Sequence, residues 1–125
     1  MIHVARNSVK PPLDLKSSFV SRSLAAADEF YRRPARARRQ RRFELSLEAI
    51  HEPVADTLAR LFHGKCAYCE TLVDRRTSSC IDHYRPRRNT LGQDGETYLD
   101  HYWWLAFKWD NLLFSCPECS RMRGN

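Results

Sequence analysis

Cys66-Ala67-Tyr68-Cys69 and Cys116-Pro117-Glu118-Cys119 are two Cys-x-x-Cys pairs in a chain of 125 residues. Each pair supplies two thiolates from one tight turn, and four thiolates are the ligand set of tetrahedral structural zinc. The sequence therefore predicts one four-cysteine zinc site. The alternative interpretation is a thiol redox pair, which would need only one Cys-x-x-Cys, placed after a strand of an α/β unit.

The chain is small, and we expect one domain at most. A bound zinc ion would help to stabilise the marginal core of a chain of this size. No stretch approaches the roughly 18 apolar residues that a membrane span needs, and Met1-Ile2-His3-Val4 lacks the apolar run of a secretory signal. Because the cysteine pattern favours metal over disulfides, we expect a cytoplasmic protein. The fifth cysteine, Cys80, is predicted to be a strand residue that faces the core.

Arginine dominates the charge of the chain. The formal net charge is +6, 17 of the 21 basic residues are arginine, and seven of these lie between Arg32 and Arg42. A guanidinium group can bond two phosphate oxygens at once, and a basic run releases counterions when it binds a nucleic-acid backbone. We therefore predict nucleic acid as a partner. The alternative is a flexible basic loop that contacts an acidic partner.

The first half of the chain has the apolar spacing of helices. This spacing predicts one helix over residues 16–31 and a second over residues 45–62. Pro53 fits a first-turn position, so the second helix is predicted to break or restart there. Gly64 is predicted to cap its C-terminus.

The second half predicts short elements of both kinds. Residues 70–84 indicate a strand pair that turns near residues 74–76, and residues 87–97 indicate a loop. Residues 102–109 predict aromatic core packing rather than a base-stacking platform. Residues 112–114 predict a strand, and the second cysteine pair is predicted to open a terminal helix.

The dipeptide Asp82-His83 points to chemistry. A lone histidine is usually a satisfied structural residue, whereas His83 follows a carboxylate at a predicted strand end and precedes Arg85 and Arg87. The histidines with the structural interpretation are His3, His51, His63 and His101. Phosphodiester hydrolysis needs a base for water, a hard cation for the leaving oxygen and positive charge for phosphate. We assign the base to His83, the Mg²⁺ or Mn²⁺ ligand to Asp82, and the phosphate contact to Arg85 or Arg87.

These residues together resemble a known family. Cys66-x-x-Cys69, Asp82-His83, Asn111 and Cys116-x-x-Cys119 are similar to the pattern of zinc-containing HNH endonucleases. The resemblance implies an α+β fold in which N-terminal helices (1–62) precede a ββα-metal, treble-clef-like HNH unit (63–125) with a structural four-cysteine zinc site. It also implies that His83 is the general base, that Asp82 binds the catalytic ion, and that Asn111 holds the hairpin loop through backbone hydrogen bonds.

Longer segments resemble a narrower group within that family. The segments Lys65-Cys-Ala-Tyr-Cys-Glu70, Ile81-Asp-His-Tyr-Arg-Pro-Arg87 and Tyr102-Trp-Trp-Leu-Ala-Phe-Lys-Trp-Asp-Asn-Leu-Leu113 look like the HNH subunits of retron and Septu-type anti-phage defence systems. This resemblance implies a defence effector that cleaves nucleic acid, with DNA favoured over RNA. It also implies an ABC-type ATPase as the partner subunit, and a final helix that continues past residue 125.

One position departs from the family pattern. The third metal-binding position follows the last cysteine and is usually Asn or His, and here it is Ser120. A serine hydroxyl is a weaker ligand, which binds magnesium at some cost or through water; Glu70 and Asn125 are the alternative ligands. Two further arginines, Arg121 and Arg123, are expected to contact the substrate. The alternative function is a catalytically impaired, zinc-stabilised module that binds nucleic acid or docks on a partner.

Overall fold

The computed structural model describes residues 3–39, 41–87, 90–98 and 100–124. Over these ranges the chain is a mixture of helices and short strands. The helices are α1 (Ser18–Arg32), α2 (Ala35–Arg38), α3 (His51–Leu61) and α4 (Pro117–Arg123). The strands are β1 (Cys80–His83), β2 (Thr90–Leu91), β3 (Thr97–Tyr98) and β4 (Leu112–Ser115). Single 3₁₀ turns occupy Arg6–Ser8, Leu13–Lys16, Glu48–Ile50, Trp103–Leu105 and Trp109–Asn111.

Helix α1 confirms the helix predicted over residues 16–31. It begins after Ser17, whose Oγ accepts a hydrogen bond from the Val20 N–H at 3.4 Å and so caps the helix N-terminus. Val20 and Ala27 are buried and lie two turns apart, so they share one face of the helix. The helix ends at Arg32 because Arg33, which precedes a proline, is extended.

Helix α3 is shorter than the helix predicted over residues 45–62. The segment before it forms a 3₁₀ turn at Glu48–Ile50, and the α-helix starts only at His51. Pro53 therefore lies in the first turn, where a missing N–H breaks no intrahelical hydrogen bond. At the other end Gly64 has a φ of 71°, and its N–H donates to the Ala59 carbonyl at 2.8 Å. This bond satisfies one of the last helix carbonyls, as the capping prediction required.

Strand β1 pairs with β4, so the predicted strand pair within residues 70–84 is wrong. The two strands are antiparallel, with Cys80 opposite Ser115 and His83 opposite Leu112. In the predicted first strand, the structure shows only an isolated bridge between Lys65 and Leu72. All four residues of β4 are buried, so pairing with β4 gives β1 a core surface that the polar local segment lacks.

Two smaller predictions are also corrected. The predicted loop at residues 87–97 includes β2 and reaches β3, which pair with each other in an antiparallel hairpin. In the aromatic stretch, Phe107 is buried and both Trp103 and Trp109 pack partly against the core. Trp104 departs from the core-packing prediction, because 46% of its surface is exposed.

One hydrophobic core connects the helices to the β1–β4 pair. Val54, Leu58 and Leu61 of α3 and Leu112 and Phe114 of β4 are its buried centre. The first cysteine pair is anchored in the same core, since residues 66 and 67 are fully buried. The division of the chain into residues 1–62 and 63–125 stays a prediction. None of the described helices has the length and apolar character needed to cross a bilayer.

Candidate metal centre and active site

The four cysteines of the two Cys-x-x-Cys pairs meet in one cluster. Their sulfur atoms all lie within 4.8 Å of one another, and the Cys69 and Cys116 sulfurs are 3.8 Å apart. A tetrahedral site with Zn–S bonds of about 2.3 Å places its sulfurs about 3.8 Å from each other. The cluster therefore fits a zinc ion. Cys80 lies outside the cluster, in β1, where it is half-buried.

Backbone hydrogen bonds form the first half of this cluster. The Cys66 N–H donates to the Thr71 carbonyl at 2.9 Å, and the Glu70 N–H donates to the Cys66 carbonyl at 3.0 Å. A third bond, from the Ala67 N–H to the Phe114 carbonyl at 2.8 Å, attaches this turn to β4. The first cysteine pair is thus fixed directly beside the strand that leads to the second pair.

The second half of the cluster is the beginning of α4. Cys116 is the N-cap residue, its sulfur accepts the Cys119 N–H at 3.5 Å, and Pro117 occupies the first helical position. A hydrogen bond with Thr71 lowers the pKa of the Cys69 thiol to about 6. A hydrogen bond with Cys116 and burial raise the pKa of Cys119 to about 12. Four thiolates at these distances would repel one another, and a divalent cation would neutralise their charge.

Asp82 lies on β1 with only 3% of its surface exposed. The Ser120 hydroxyl of α4 donates to its Oδ1 at 2.7 Å. Its Oδ2 is buried and has no hydrogen-bond partner among the described residues. An unpaired buried carboxylate oxygen is costly, and a cation or an ordered water would satisfy it. This oxygen fits the hard cation predicted at Asp82, whereas Ser120 contacts the carboxylate as a hydrogen-bond donor.

His83 is also 3% exposed, and a single contact indicates its tautomer. Its Nε2 lies 2.9 Å from the Ala106 carbonyl oxygen. A carbonyl oxygen only accepts hydrogen bonds, so Nε2 carries the hydrogen of the neutral ring. Nδ1 is then the ring nitrogen that carries no hydrogen in the neutral form.

Asn111 connects the segment that follows β1 to the segment that precedes β4. Its Oδ1 accepts the Arg85 N–H at 2.7 Å, and its Nδ2 donates to the Arg85 and Leu105 carbonyls, both at 3.1 Å. Its own backbone carbonyl accepts the Tyr84 N–H at 2.8 Å. These bonds fix the backbone immediately after His83.

Arg123, one of the four predicted substrate-contacting arginines, reaches back to the end of β1. Its Nη2 donates to the His83 carbonyl at 3.3 Å and to the Tyr84 carbonyl at 3.4 Å. Its guanidinium carbon lies 4.9 Å from the centre of the Tyr68 ring, a cation–π distance. The structure thus places Arg123 beside His83.

The other three arginines differ in exposure. Arg85 is exposed, and its guanidinium lies 5.7 Å from the Tyr84 ring centre and 5.4 Å from the Tyr102 ring centre. Arg87 is half-buried, and Arg121 is exposed on α4. Arg85 is therefore the better placed of the two arginines predicted as phosphate contacts.

Tyr68 lies beside Asp82 and was not among the predicted site residues. Its hydroxyl is buried without a hydrogen-bond partner in the described part of the chain. Burial, assisted by the nearby Asp82 charge, raises the pKa of Tyr68 to about 12. The only sequence signal for Tyr68 was its position between Cys66 and Cys69, which are predicted zinc ligands.

The alternative ligands for the catalytic ion receive no support. Glu70 is exposed and has a left-handed φ of 62°, and Asn125 lies outside the described residues. Within the described ranges, the four cysteines form the only group of three or more Cys, His, Asp or Glu side chains that could hold a metal ion. Asp82 belongs to no such group.

Two proteins of Bacillus mycoides (strain KBAB4) are similar to this chain. Septu protein PtuB is 43% identical over 72 residues, which are 56% of this chain and 24% of PtuB. Septu protein PtuA is 44% identical over 69 residues, which are 54% of this chain and 10% of PtuA. The matches thus span no more than a quarter of either relative. No family model and no solved structure matches the chain.

Proposed function

We propose that this chain is the nuclease part of a Septu-type anti-phage defence system. Its activity would be that of an HNH endonuclease, which hydrolyses phosphodiester bonds in nucleic acid, with DNA favoured. The observation that carries this proposal is the buried Asp82-His83 pair, in which Asp82 Oδ2 has no hydrogen-bond partner among the described residues and His83 Nε2 lies 2.9 Å from the Ala106 carbonyl oxygen. The similarity to PtuB and PtuA supports the defence context.

The arrangement of β1, β4 and α4 supports a ββα-metal unit. Two antiparallel strands are followed directly by a helix, and Ser120 of the helix contacts Asp82 of the first strand. The four-cysteine cluster joins the same helix to the turn after α3. Asn111 makes the bonds to the backbone of the connecting segment that the resemblance implies for its position.

In the proposed reaction His83 Nδ1 accepts the proton of the attacking water. The bond between Nε2 and the Ala106 carbonyl keeps the ring from rotating and fixes Nδ1 as the acceptor. Asp82 would hold Mg²⁺ or Mn²⁺ through Oδ2, because an oxygen ligand favours hard cations. Such an ion, when bound, stabilises the negative charge that develops on the leaving oxygen. Ser120 orients the carboxylate by its hydrogen bond to Oδ1.

Arg123 and Arg85 would contact the phosphate. Each guanidinium has five N–H donors in a planar fork, and Arg123 uses one nitrogen on the carbonyls of residues 83 and 84. Arg123 would thereby bring positive charge within reach of a phosphate at His83. We also propose a partner subunit, since the chain is similar to two Septu proteins, PtuB and PtuA. The resemblance described above implies that this partner is an ABC-type ATPase.

The second candidate function is a catalytically silent binding module. Two observations favour it. In the described part of the chain, Asp82 belongs to no group of three or more Asp, Glu, His or Cys side chains that could hold a metal ion, and the third metal position is Ser120. Such a module would be stabilised by zinc and would deliver a partner to nucleic acid or dock on it.

Cleavage of supercoiled plasmid with Mg²⁺ or Mn²⁺ decides between the two functions. Cleavage is compared among the wild-type chain, His83→Ala and His3→Ala. His3→Ala is the control, because His3 is an exposed histidine. We expect cleavage by wild type and His3→Ala, and a loss of about 10²- to 10⁴-fold in His83→Ala, the usual contribution of a general base. Zinc content and circular dichroism verify folding. Equal cleavage by His83→Ala would contradict the proposal, and no cleavage by any folded protein would favour the silent module.

A further inference from the structure

We propose that a groove beside the candidate active site binds an unpaired nucleotide, so that the preferred ligand is single-stranded nucleic acid. The inference rests on the proposed function only in naming the substrate class of the same site. The groove has a volume of about 650 Å³. Tyr84, Arg85, Gln93, His101 and Tyr102 are among its lining residues, and none of the described lining residues is acidic.

Aromatic rings give this groove stacking surfaces. Tyr84 is 53% exposed, so it is accessible to a ligand from solvent. His101 stacks on Tyr98 with ring centres 4.4 Å apart and planes 4° from parallel, and it meets Tyr102 edge-on at 5.8 Å. The exposed ring of Tyr84 can stack on nucleobases of any sequence, since every base has an aromatic face.

Arg85 supplies the charge that a nucleotide phosphate requires. Its guanidinium lies near the rings of both Tyr84 and Tyr102 and is therefore restrained at the edge of the groove. A restrained, planar guanidinium loses little side-chain entropy when it binds phosphate. The groove thus combines stacking surfaces with a placed cation, the combination found in sites for single strands.

The groove is rigidly connected to the candidate base. Tyr84 directly follows His83, and its N–H bonds to the Asn111 carbonyl at 2.8 Å. The Arg85 N–H bonds to Asn111 Oδ1 at 2.7 Å, and Arg123 donates to the Tyr84 carbonyl. A nucleotide stacked in the groove would therefore keep its phosphate close to His83. A base inside a duplex cannot enter, because it is stacked on its neighbours.

A row of rings continues from the groove toward the arginine-rich segment. The ring centres of Tyr102 and Trp104 are 5.9 Å apart, and those of Trp104 and Trp103 are also 5.9 Å apart. Trp103 in turn stacks on Tyr31, with ring centres 5.5 Å apart. Arg38 of α2 lies 5.4 Å from the Tyr31 ring centre. Residues 36, 39 and 41 of the same segment are exposed arginines. Within the row only Trp104 is exposed, whereas Tyr31 and Trp103 pack against the core.

Fluorescence anisotropy with labelled oligonucleotides tests this inference. The probes are oligo-dT and oligo-U of about 12 nucleotides and a DNA duplex of the same length, a size matched to known single-strand sites. Mg²⁺ and Mn²⁺ are left out so that no strand is cut. We expect wild type to bind a single strand about tenfold more tightly than the duplex. Tyr84→Leu should lose about tenfold in single-strand affinity, whereas Tyr84→Phe, which keeps the ring, should bind like wild type.

The results separate this inference from the proposed nuclease. Equal binding of duplex and single strand, or equal affinities of Tyr84→Leu and Tyr84→Phe, would overturn the groove assignment even if plasmid is cleaved. Tight single-strand binding that depends on the Tyr84 ring would support the groove even if no cleavage occurs. A preference for oligo-dT or for oligo-U supports the groove assignment equally, and it shows whether the groove prefers DNA or RNA. Urea unfolding of both variants verifies that each is folded at the assay temperature.

Discussion

Ser120 Oγ donates to Asp82 Oδ1 over 2.7 Å, whereas Oδ2 of the same carboxylate has no partner in the described structure. The family pattern treats the position of Ser120 as a metal ligand, and serine is a poor one. The hydrogen bond indicates a different contribution, because it restrains Asp82 through Oδ1 only. In the proposed nuclease, Oδ2 would be the oxygen that holds the cation.

Ser120→Ala should therefore destabilise the fold and weaken the cation site. Loss of a hydrogen bond to a buried carboxylate is expected to lower the free energy of unfolding by about 1–3 kcal/mol. Urea unfolding measures this change, with Ser8→Ala as the control at an exposed serine. Titration with Mn²⁺ should also show weaker binding in Ser120→Ala than in wild type. An unchanged unfolding free energy would mean that this hydrogen bond contributes nothing to the fold.

One zinc ion per chain is the expected metal content, because the four sulfurs have tetrahedral spacing. Cys69→Ser should lose most of this zinc and unfold at lower urea concentration, since a structural site with three thiolates binds weakly. Cys80→Ser is the matched control, because Cys80 is outside the cluster. Metal analysis of the purified proteins gives the result. Equal zinc loss in the two variants would argue against the four-cysteine assignment.

Asn111→Asp should destabilise the chain although the two side chains have almost the same shape. The carboxylate can still accept the Arg85 N–H, but it cannot donate to the carbonyls of Arg85 and Leu105. Two partly buried carbonyls then lose their donor and face a negative charge, so the unfolding free energy should fall by about 1–3 kcal/mol. Urea unfolding checks this value, and Asn7→Asp at an exposed position should change it little. Similar unfolding curves for both variants would refute the bridging role.

Arg75 gives the chain a stability component that depends on pH. Its hydrogen bonds to Glu52 and Asp56 of α3 lower the pKa of both carboxyl groups. A depressed pKa contributes stability above the unfolded-state value, and this contribution is lost as pH falls through the folded-state value. Wild type should thus exceed Arg75→Gln in stability at pH about 7, and the difference should shrink below pH about 4. Melting temperatures across this range provide the measurement.

Arg76→Gln serves as the control for that comparison. Arg76 is exposed, and in the described structure its guanidinium forms no close ion pair. Its removal should change the pH dependence much less than Arg75→Gln does, because the Arg76 charge contributes only the last-ranked lowering of the pKa of Asp56 and of Asp74. A pH-independent difference between wild type and Arg75→Gln would show that the two ion pairs are fully screened by solvent.

The sequence predicted those features whose chemistry is local. The spacing of Val20 and Ala27, the Cys-x-x-Cys turns and the apolar run of β4 each fix a structure within a few residues. The partner of β1 could not be predicted, because it depends on which distant strand offers a buried surface. Residues 84–111 separate the two strands, and local sequence patterns such as apolar spacing do not indicate which strands pair across so long a segment.

The candidate site shows the same limit. Asp82 and His83 are identifiable from their order along the chain, but the contacts of Ser120 and Arg123 with them depend on how α4 packs against β1. Tyr68 escaped prediction for a related reason. The pKa of its buried hydroxyl is raised by burial and by the nearby Asp82 charge, and Asp82 lies on a different element of the fold.

The position of two metal-binding cysteines in α4 has a consequence for a newly made chain. The four-cysteine cluster joins the start of α4 to the turn that carries Cys66 and Cys69. Two of the four cysteines are its N-cap and third residues, and Ser120 comes next. A chain that has left the ribosome but has not acquired metal would lack a fixed position for Ser120 and Arg123. Metal acquisition would then be a maturation step, and the supply of zinc would set how soon a fresh copy becomes competent.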